Sequence, residues 1–166
     1  NTFGYVLGNP LAYIDPLGTD AVKIDFWGYP ITVGSRQYNL VHSGVLLINN
    51  DTGFTRYYEF GRYKPTDPNI VGVALPSVKG NVRSFPVPNV EIGADGRPTA
   101  DSLAVTLESI SQKAGKGISP STSYIEGDFD SASDVANIIA NDPNREVYKI
   151  LGNNCRSFAG SVADGG

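Results

Sequence analysis

"LVHSGVLLI", Leu40 to Ile48, decides the fold. Read with a period of two, it sets Leu40, His42, Gly44, Leu46 and Ile48 on one face and Val41, Val45 and Leu47 on the other, so both faces are apolar. Neighbouring strand side chains point to opposite sides of a sheet, and a strand apolar on both sides belongs in the middle of a sheet that is covered twice. The stretch therefore predicts a central strand, and it carries the chain's single histidine.

Working outward, "NNDTG" (Asn49 to Gly53) predicts a hairpin turn with Gly53 at positive φ, and "FTRYYEF" (Phe54 to Phe60) the aromatic return strand. Upstream, "AVKIDFW" (Ala21 to Trp27) alternates and ends at Gly28 and Pro30, which reads as another strand. Downstream, "IVGVAL" (Ile70 to Leu75) predicts a strand. "VRSFPVPNVEI" (Val82 to Ile92) predicts an edge strand or extended segment, because its prolines cannot donate to a ladder. Leu103, Leu107 and Ile110 space a helix over Thr99 to Gly115, with Gly115 as its C-cap. A second helix is expected to start at a capping box, Ser131 to Asp134, and to stop before Pro143. "VYKILG" (Val147 to Gly152) reads as a short strand or helix entry. Together these elements predict an α+β fold, an antiparallel sheet packed against helices.

Composition narrows the function. The 166 residues suit one domain with a full core, and 19 glycines and 11 prolines make it rich in turns. A net charge of -4 with no Lys/Arg cluster argues against nucleic acid as partner. One cysteine and one histidine supply neither a disulfide nor a Cys/His zinc set. No window approaches the length of an apolar membrane span, and the opening residues have neither the basic nor the apolar region of a signal peptide, so no membrane role is expected and export would depend on another element.

The single cysteine lies in "ILGNNCRSFAG", Ile150 to Gly160. A lone strand histidine or a lone buried cysteine is ordinarily a packing residue. Here Asn153 and Asn154, both good N-cap types, precede Cys155, and "RSFAGSVA" after it can form a helix. A thiol in the first turn of a helix meets unpaired N–H groups and the positive dipole end, which favour the thiolate. His42 stands beside Gly44, whose missing side chain would let a helix end approach the ring. A histidine next to such a cysteine is the arrangement that activates thiols for acyl transfer. The group that orients His42 is open at this level: Glu59 on the return strand reaches it in one register and not in the next, with Asp25, Gln37 and Asn39 in reserve and Gln37 also a candidate oxyanion donor.

Two resemblances sharpen this reading. Tyr5, Asn9, Pro10, Tyr13, Asp15, Pro16 and Gly18 resemble the run that closes an Rhs/YD-repeat core, with one residue fewer than expected before Asn9. That resemblance implies a boundary, with residues 1–18 as the core end and processing junction and 19–166 as a toxin domain released from the Rhs core shell. Separately, His42-Ser43-Gly44-Val45, Tyr58-Glu59-Phe60-Gly61 and Asn154-Cys155-Arg156-Ser157-Phe158 resemble, in order, the motifs of circularly permuted papain-like cysteine peptidases of the PPPDE and LRAT-like branches of the NlpC/P60 group. This implies a papain-like (permuted) fold with the nucleophile at a helix N-terminus.

Other chemistries fit less well. "STSYIE" (Ser121 to Glu126) resembles the S-T-S and glutamate of ADP-ribosyltransferases, but there the two elements stand far apart on different strands. "EGDFD" (Glu126 to Asp130) lacks the alternating ligands of a calcium loop. G-x-S-x-G, P-loop and HNH signatures are absent from the sequence.

The combined expectation is a cysteine protease toxin exported by a specialised, type VI, secretion system and active in the cytoplasm of a target bacterium. Cys155 and His42 would be catalytic and Glu59 their third member, with no metal or cofactor. Its partners would be a protein substrate, with type II topoisomerase subunits as candidates by resemblance, and a cognate immunity protein. The alternatives are a cell-wall amidase, endopeptidase or acyltransferase of the same fold, and a non-enzymatic partner-binding tip.

Overall fold

The computed structural model describes residues 19–33, 35–61, 80–144, 148 and 154–165. The junction expected over residues 1–18, the strand expected over 70–75, and all of 147–152 except Tyr148 lie outside the described residues. Chain order is β1 (Thr19–Val33), β2 (Arg36–Asn49), β3 (Thr55–Gly61), β4 (Asn81–Phe85), α1 (Ala100–Lys113), β5 (Ser121–Glu126), α2 (Phe129–Asn141) and α3 (Cys155–Ala163). The strands form one antiparallel sheet in the order β4-β3-β2-β1-β5, with β2 in the centre.

Both faces of that strand are covered, as its double apolar pattern requires. Leu46 and Ile48 join Val22, Ile24, Phe26 and Tyr57 beneath Leu103, Leu107 and Ile110 of α1. On the other face Val45 and Leu47 join Ala21, Tyr58 and Phe60 beneath Ala132 and Ala136 of α2 and Phe158, Ala159 and Val162 of α3. Each fully buried large apolar side chain contributes about 1.5–3 kcal/mol. The two cores make the central strands rigid where they carry His42 and Glu59.

The β2–β3 turn forms as expected. Gly53 has φ +71°, its N–H donates to the Asn49 carbonyl at 2.7 Å, and the Asn49 side chain accepts from the Thr52 N–H at 3.0 Å. A β-carbon at Gly53 would stand 2.1 Å from the Val90 carbonyl oxygen.

Three expectations need correction, and one segment with no expected element proves to be a strand. β1 does not stop at Gly28 and Pro30: Gly28, at φ +79°, is the extra residue of a bulge between Trp27 and Tyr29, and pairing resumes through Val33. The segment "STSYIE" is a strand, β5, laid along Asp20 to Asp25 of β1. α2 starts one turn before the expected box, capped by Asp128, whose carboxylate accepts from the Asp130 and Ser131 N–H groups. Gly115 is not a left-handed cap; the C-cap of α1 is Ala114, and a β-carbon on Gly115 would meet the Phe26 ring at 2.4 Å.

The strands also differ in length. β5 pairs with β1 only over Asp20 to Asp25, and β3 pairs with β2 only over Gly44 to Ile48. Beyond these limits β1 and β2 continue together as a two-stranded ribbon.

Candidate active site

Cys155 enters the site as the first residue of α3. Asn154 caps that helix, its side chain accepting from the Arg156 N–H at 3.0 Å and the Ser157 N–H at 3.1 Å, while its own N–H donates to Ser157 Oγ at 2.9 Å. This reciprocal cap uses the N–H groups of the second and third helical positions. The Cys155 N–H, at the first helical position, takes no part in this cap.

The helix meets β2 where β3 leaves it. β2–β3 pairing ends at the rung Gly44↔Glu59, and past that rung Cys155 Sγ lies 3.7 Å from the Val41 carbonyl oxygen. The Ser43 N–H also acts on the thiolate. Sulfur thus occupies the place in which the next strand rung would form.

His42 and Glu59 complete a relay behind the thiol. Glu59 Oε2 sits 2.8 Å from His42 Nε2, and Glu59 is fully buried (0 %), with His42 at 8 % and Cys155 at 3 % exposure. Imidazole has two ring nitrogens, so with Nε2 engaged by Glu59, Nδ1 is left for the thiol. Arg83 Nε pairs with Glu59 Oε1 at 2.5 Å, and the Tyr57 hydroxyl donates to Oε2 at 3.3 Å. Phe26 stacks on the imidazole with centroids 6.1 Å apart, and the Tyr29 ring lies 4.8 Å away.

The electrostatics follow from this packing. Burial alone pushes the His42 pKa down, but hydrogen bonds to Cys155 and Glu59 and their negative charges outweigh it and raise the value to about 9. Burial likewise pushes the Cys155 thiol up, and is outweighed by the hydrogen bond and charge of His42, then by the Ser43 N–H and the Tyr148 hydroxyl, which leave it below its ordinary value. The Tyr148 hydroxyl stands 3.8 Å from Sγ. Both shifts favour the thiolate–imidazolium form of the pair. Tyr29 is pushed up to about 12 by burial first and the Glu59 charge second, so its phenol stays neutral.

The site brings together Cys155, His42 and Glu59 and leaves the reserves outside. Asp25 is engaged by Ser43 Oγ at 2.5 Å, and Gln37 and Asn39 are exposed on the ribbon. Gly44 makes room for a different neighbour than expected: a β-carbon there would stand 2.1 Å from the Tyr57 hydroxyl oxygen, so the space is filled by a β3 ring and not by a helix end. Arg83, Tyr29, Tyr57 and Tyr148 were not legible as site residues. Arg83 alone had a signal, a charge inside the short strand "NVRSF", but only the register Glu59↔Arg83 gives it meaning. Among the described residues no three His, Cys, Asp or Glu side chains gather where they would share a metal ion.

Fold and site together define an α+β protein with a buried thiol–imidazole–carboxylate relay at a helix N-terminus. Residues 9–164 match the family model "Type VI secretion system effector TseH-like", a span that takes in part of the segment 1–18. The chain belongs to that family of type VI secretion system effectors. It is similar to the crystal structure of the type VI secretion system effector TseH, at 32% identity and a TM-score of 0.72, over 90% of this chain and 76% of that one. No curated protein matches it.

Proposed function

We propose that this effector is an interbacterial toxin that hydrolyses a peptide or amide bond in the recipient cell, with Cys155 as nucleophile and His42 as its acid and base. The observation that carries the reading is the relay itself: Glu59 bound to His42 Nε2 at 2.8 Å, and His42 in turn hydrogen-bonded to Cys155.

The thiolate attacks the carbonyl carbon, and the oxygen that gains charge accepts from the Cys155 N–H at the start of α3. His42 Nδ1–H then gives its proton to the departing nitrogen, the C–N bond breaks, and a thioester remains on Cys155. Neutral Nδ1 next takes a proton from water, the hydroxide adds to the thioester, and expulsion of the thiolate releases the acid and restores the ion pair. Glu59 touches no reacting atom; it is a positioning residue that holds the ring and balances its charge.

The test uses the full chain expressed in a bacterial host, with and without an export leader. Wild type is expected to arrest growth in one compartment, and Cys155→Ala and His42→Ala to lose that effect while folding normally. New protein N-termini in arrested cells would identify a cytoplasmic protein substrate, and new amines in cell-wall peptides an envelope one. Killing by either variant at the wild-type level would overturn the reading.

A further inference from the structure

The ribbon formed by β1 and β2 has two edges, and they are not alike. Pro30 pairs with Asn39, and a proline cannot donate into that ladder, so the pair is of the kind that exchanges no backbone hydrogen bonds. The backbone groups of Pro30 therefore face outward on the β1 edge, where the missing N–H removes a donor and Lys116 Nζ takes the carbonyl at 2.7 Å. With the bulge at Gly28 beside it, this edge carries two of the devices that stop a strand from recruiting another.

The β2 edge carries neither. The same pairing turns the Asn39 N–H and carbonyl outward, and because alternate residues repeat that orientation, those of Gln37 and Val41 point the same way. Residues Arg36 to Asn39 are exposed, and among the described residues the outward groups of Gln37 and Asn39 have no partner. The edge is regular, free of proline, and leads to one place: the Val41 carbonyl 3.7 Å from Cys155 Sγ. On the face of the ribbon beside α3 stands Trp27, 56 % exposed, with the Arg156 guanidinium 5.9 Å from its ring.

We infer that the β2 edge from Gln37 to Val41 binds an extended peptide segment of the substrate as an added strand, which carries the scissile carbonyl to Cys155. The inference rests on Cys155 being the nucleophile and deepens that reading by naming the substrate as a peptide main chain several residues long. Main-chain hydrogen bonds supply the affinity and alternate side-chain positions the selectivity, as in other strand-addition complexes. The blunted β1 edge leaves the β2 edge as the place on the ribbon for the incoming strand.

Proline substitution separates the edges. Asn39→Pro removes an outward N–H from β2, and Thr32→Pro, two residues beyond Pro30, removes one from β1. Asn39→Pro is expected to lose toxicity on the order of tenfold, as lost hydrogen bonds of this kind require, while Thr32→Pro kills like wild type. Iodoacetamide labelling of Cys155 should be equally fast in all three, since the thiol and His42 are untouched. Equal toxicity of Asn39→Pro and wild type, or equal loss in both variants with labelling intact, would overturn the inference. Should Asn39→Pro fail to fold, the wild type answers with two reagents, an acetyl-tripeptidyl chloromethyl ketone and its fully N-methylated form. The first is expected to modify Cys155 about tenfold faster; equal rates would overturn the inference. A wild-type thiol inert to iodoacetamide would instead refute the nucleophile, a distinguishable failure.

Discussion

At the scale of the residue, the site depends on how three charges share one buried space. Glu59 lies between His42 and Arg83, and the His42 pKa stands near 9 because the negative groups around the ring outweigh its desolvation. A histidine whose folded pKa is raised above the ordinary 6.5 contributes stability that is complete below about 6.5 and is lost as pH rises through about 9. Hydrolysis should follow the same limb, since the imidazolium that donates to the leaving nitrogen disappears there. Labelling of Cys155 by iodoacetamide should already be fast at neutral pH; a labelling rate that climbs only near pH 8.5, as for an ordinary thiol, would contradict the ion pair. Substitution then moves that limb in opposite directions. Arg83→Gln removes a cation from beside Glu59, strengthens the field on the ring and shifts the decline to higher pH. Glu59→Gln removes the anion, shifts the decline to lower pH, and lowers the rate on the order of tenfold or more, because the ring loses both its tether and its counter-charge. A pH–rate profile of each variant checks both signs, and a purely structural Glu59 would leave the limb in place.

At the scale of the element, one glycine decides whether β3 can serve β2. Tyr57 crosses Gly44 to reach Glu59, and a β-carbon at Gly44 would stand 2.1 Å from its hydroxyl oxygen. Gly44→Ala is expected to displace the ring, to cost about 1–3 kcal/mol as overpacking does, and to lower the Tm together with activity. Thermal melting of that variant beside one with Tyr57→Phe, which keeps the ring and removes the hydroxyl, separates packing from the hydrogen bond. Local pattern made much of this legible. The double apolar face of Leu40 to Ile48, the Asn49–Gly53 turn and the asparagine before Cys155 are each decided by residues close in sequence. What was not legible is what depends on partners distant in sequence. Gly28 and Pro30 read as a strand end because a bulge shows itself only against the opposing strand. The start of α2 was misplaced because Ser131 and Asp128 are both good caps, and the choice between them falls to Phe129, which packs under β1 and β2 as part of the helix. Glu59 stayed ambiguous until the register Gly44↔Glu59 set it on the histidine face.

At the scale of the whole molecule, the question is where the folded unit begins. The family match opens at residue 9, while the resemblance to an Rhs core end would imply a junction at Gly18. The described sheet offers a physical criterion. Thr19 pairs with Asn49, and Asp20 with both Ile48 and Glu126, so the first rungs of β1 tie β2 and β5 together. Asp20 is buried at 2 % exposure, and its Oδ2 accepts from Asn50 Nδ2 at 2.7 Å and from the Tyr124 hydroxyl. A cut before Thr19 spares these contacts; a cut before Ala21 removes the carboxylate and leaves the Asn50 amide and the Tyr124 hydroxyl without it. Losing its acceptor costs the buried Asn50 amide about 1–3 kcal/mol, and about 1 kcal/mol moves the Tm by roughly 2–4 °C in a domain of this size. The protein beginning at Thr19 is therefore expected to melt with the full chain and to keep its toxicity. The protein beginning at Ala21 should melt several degrees lower. Calorimetry of the three proteins decides it: a large loss already at Thr19 would assign residues 9–18 to the folded unit and remove the junction from Gly18, whereas coincident melting of the full chain and the Thr19 form makes the segment before β1 dispensable, as release of a toxin domain at that point requires.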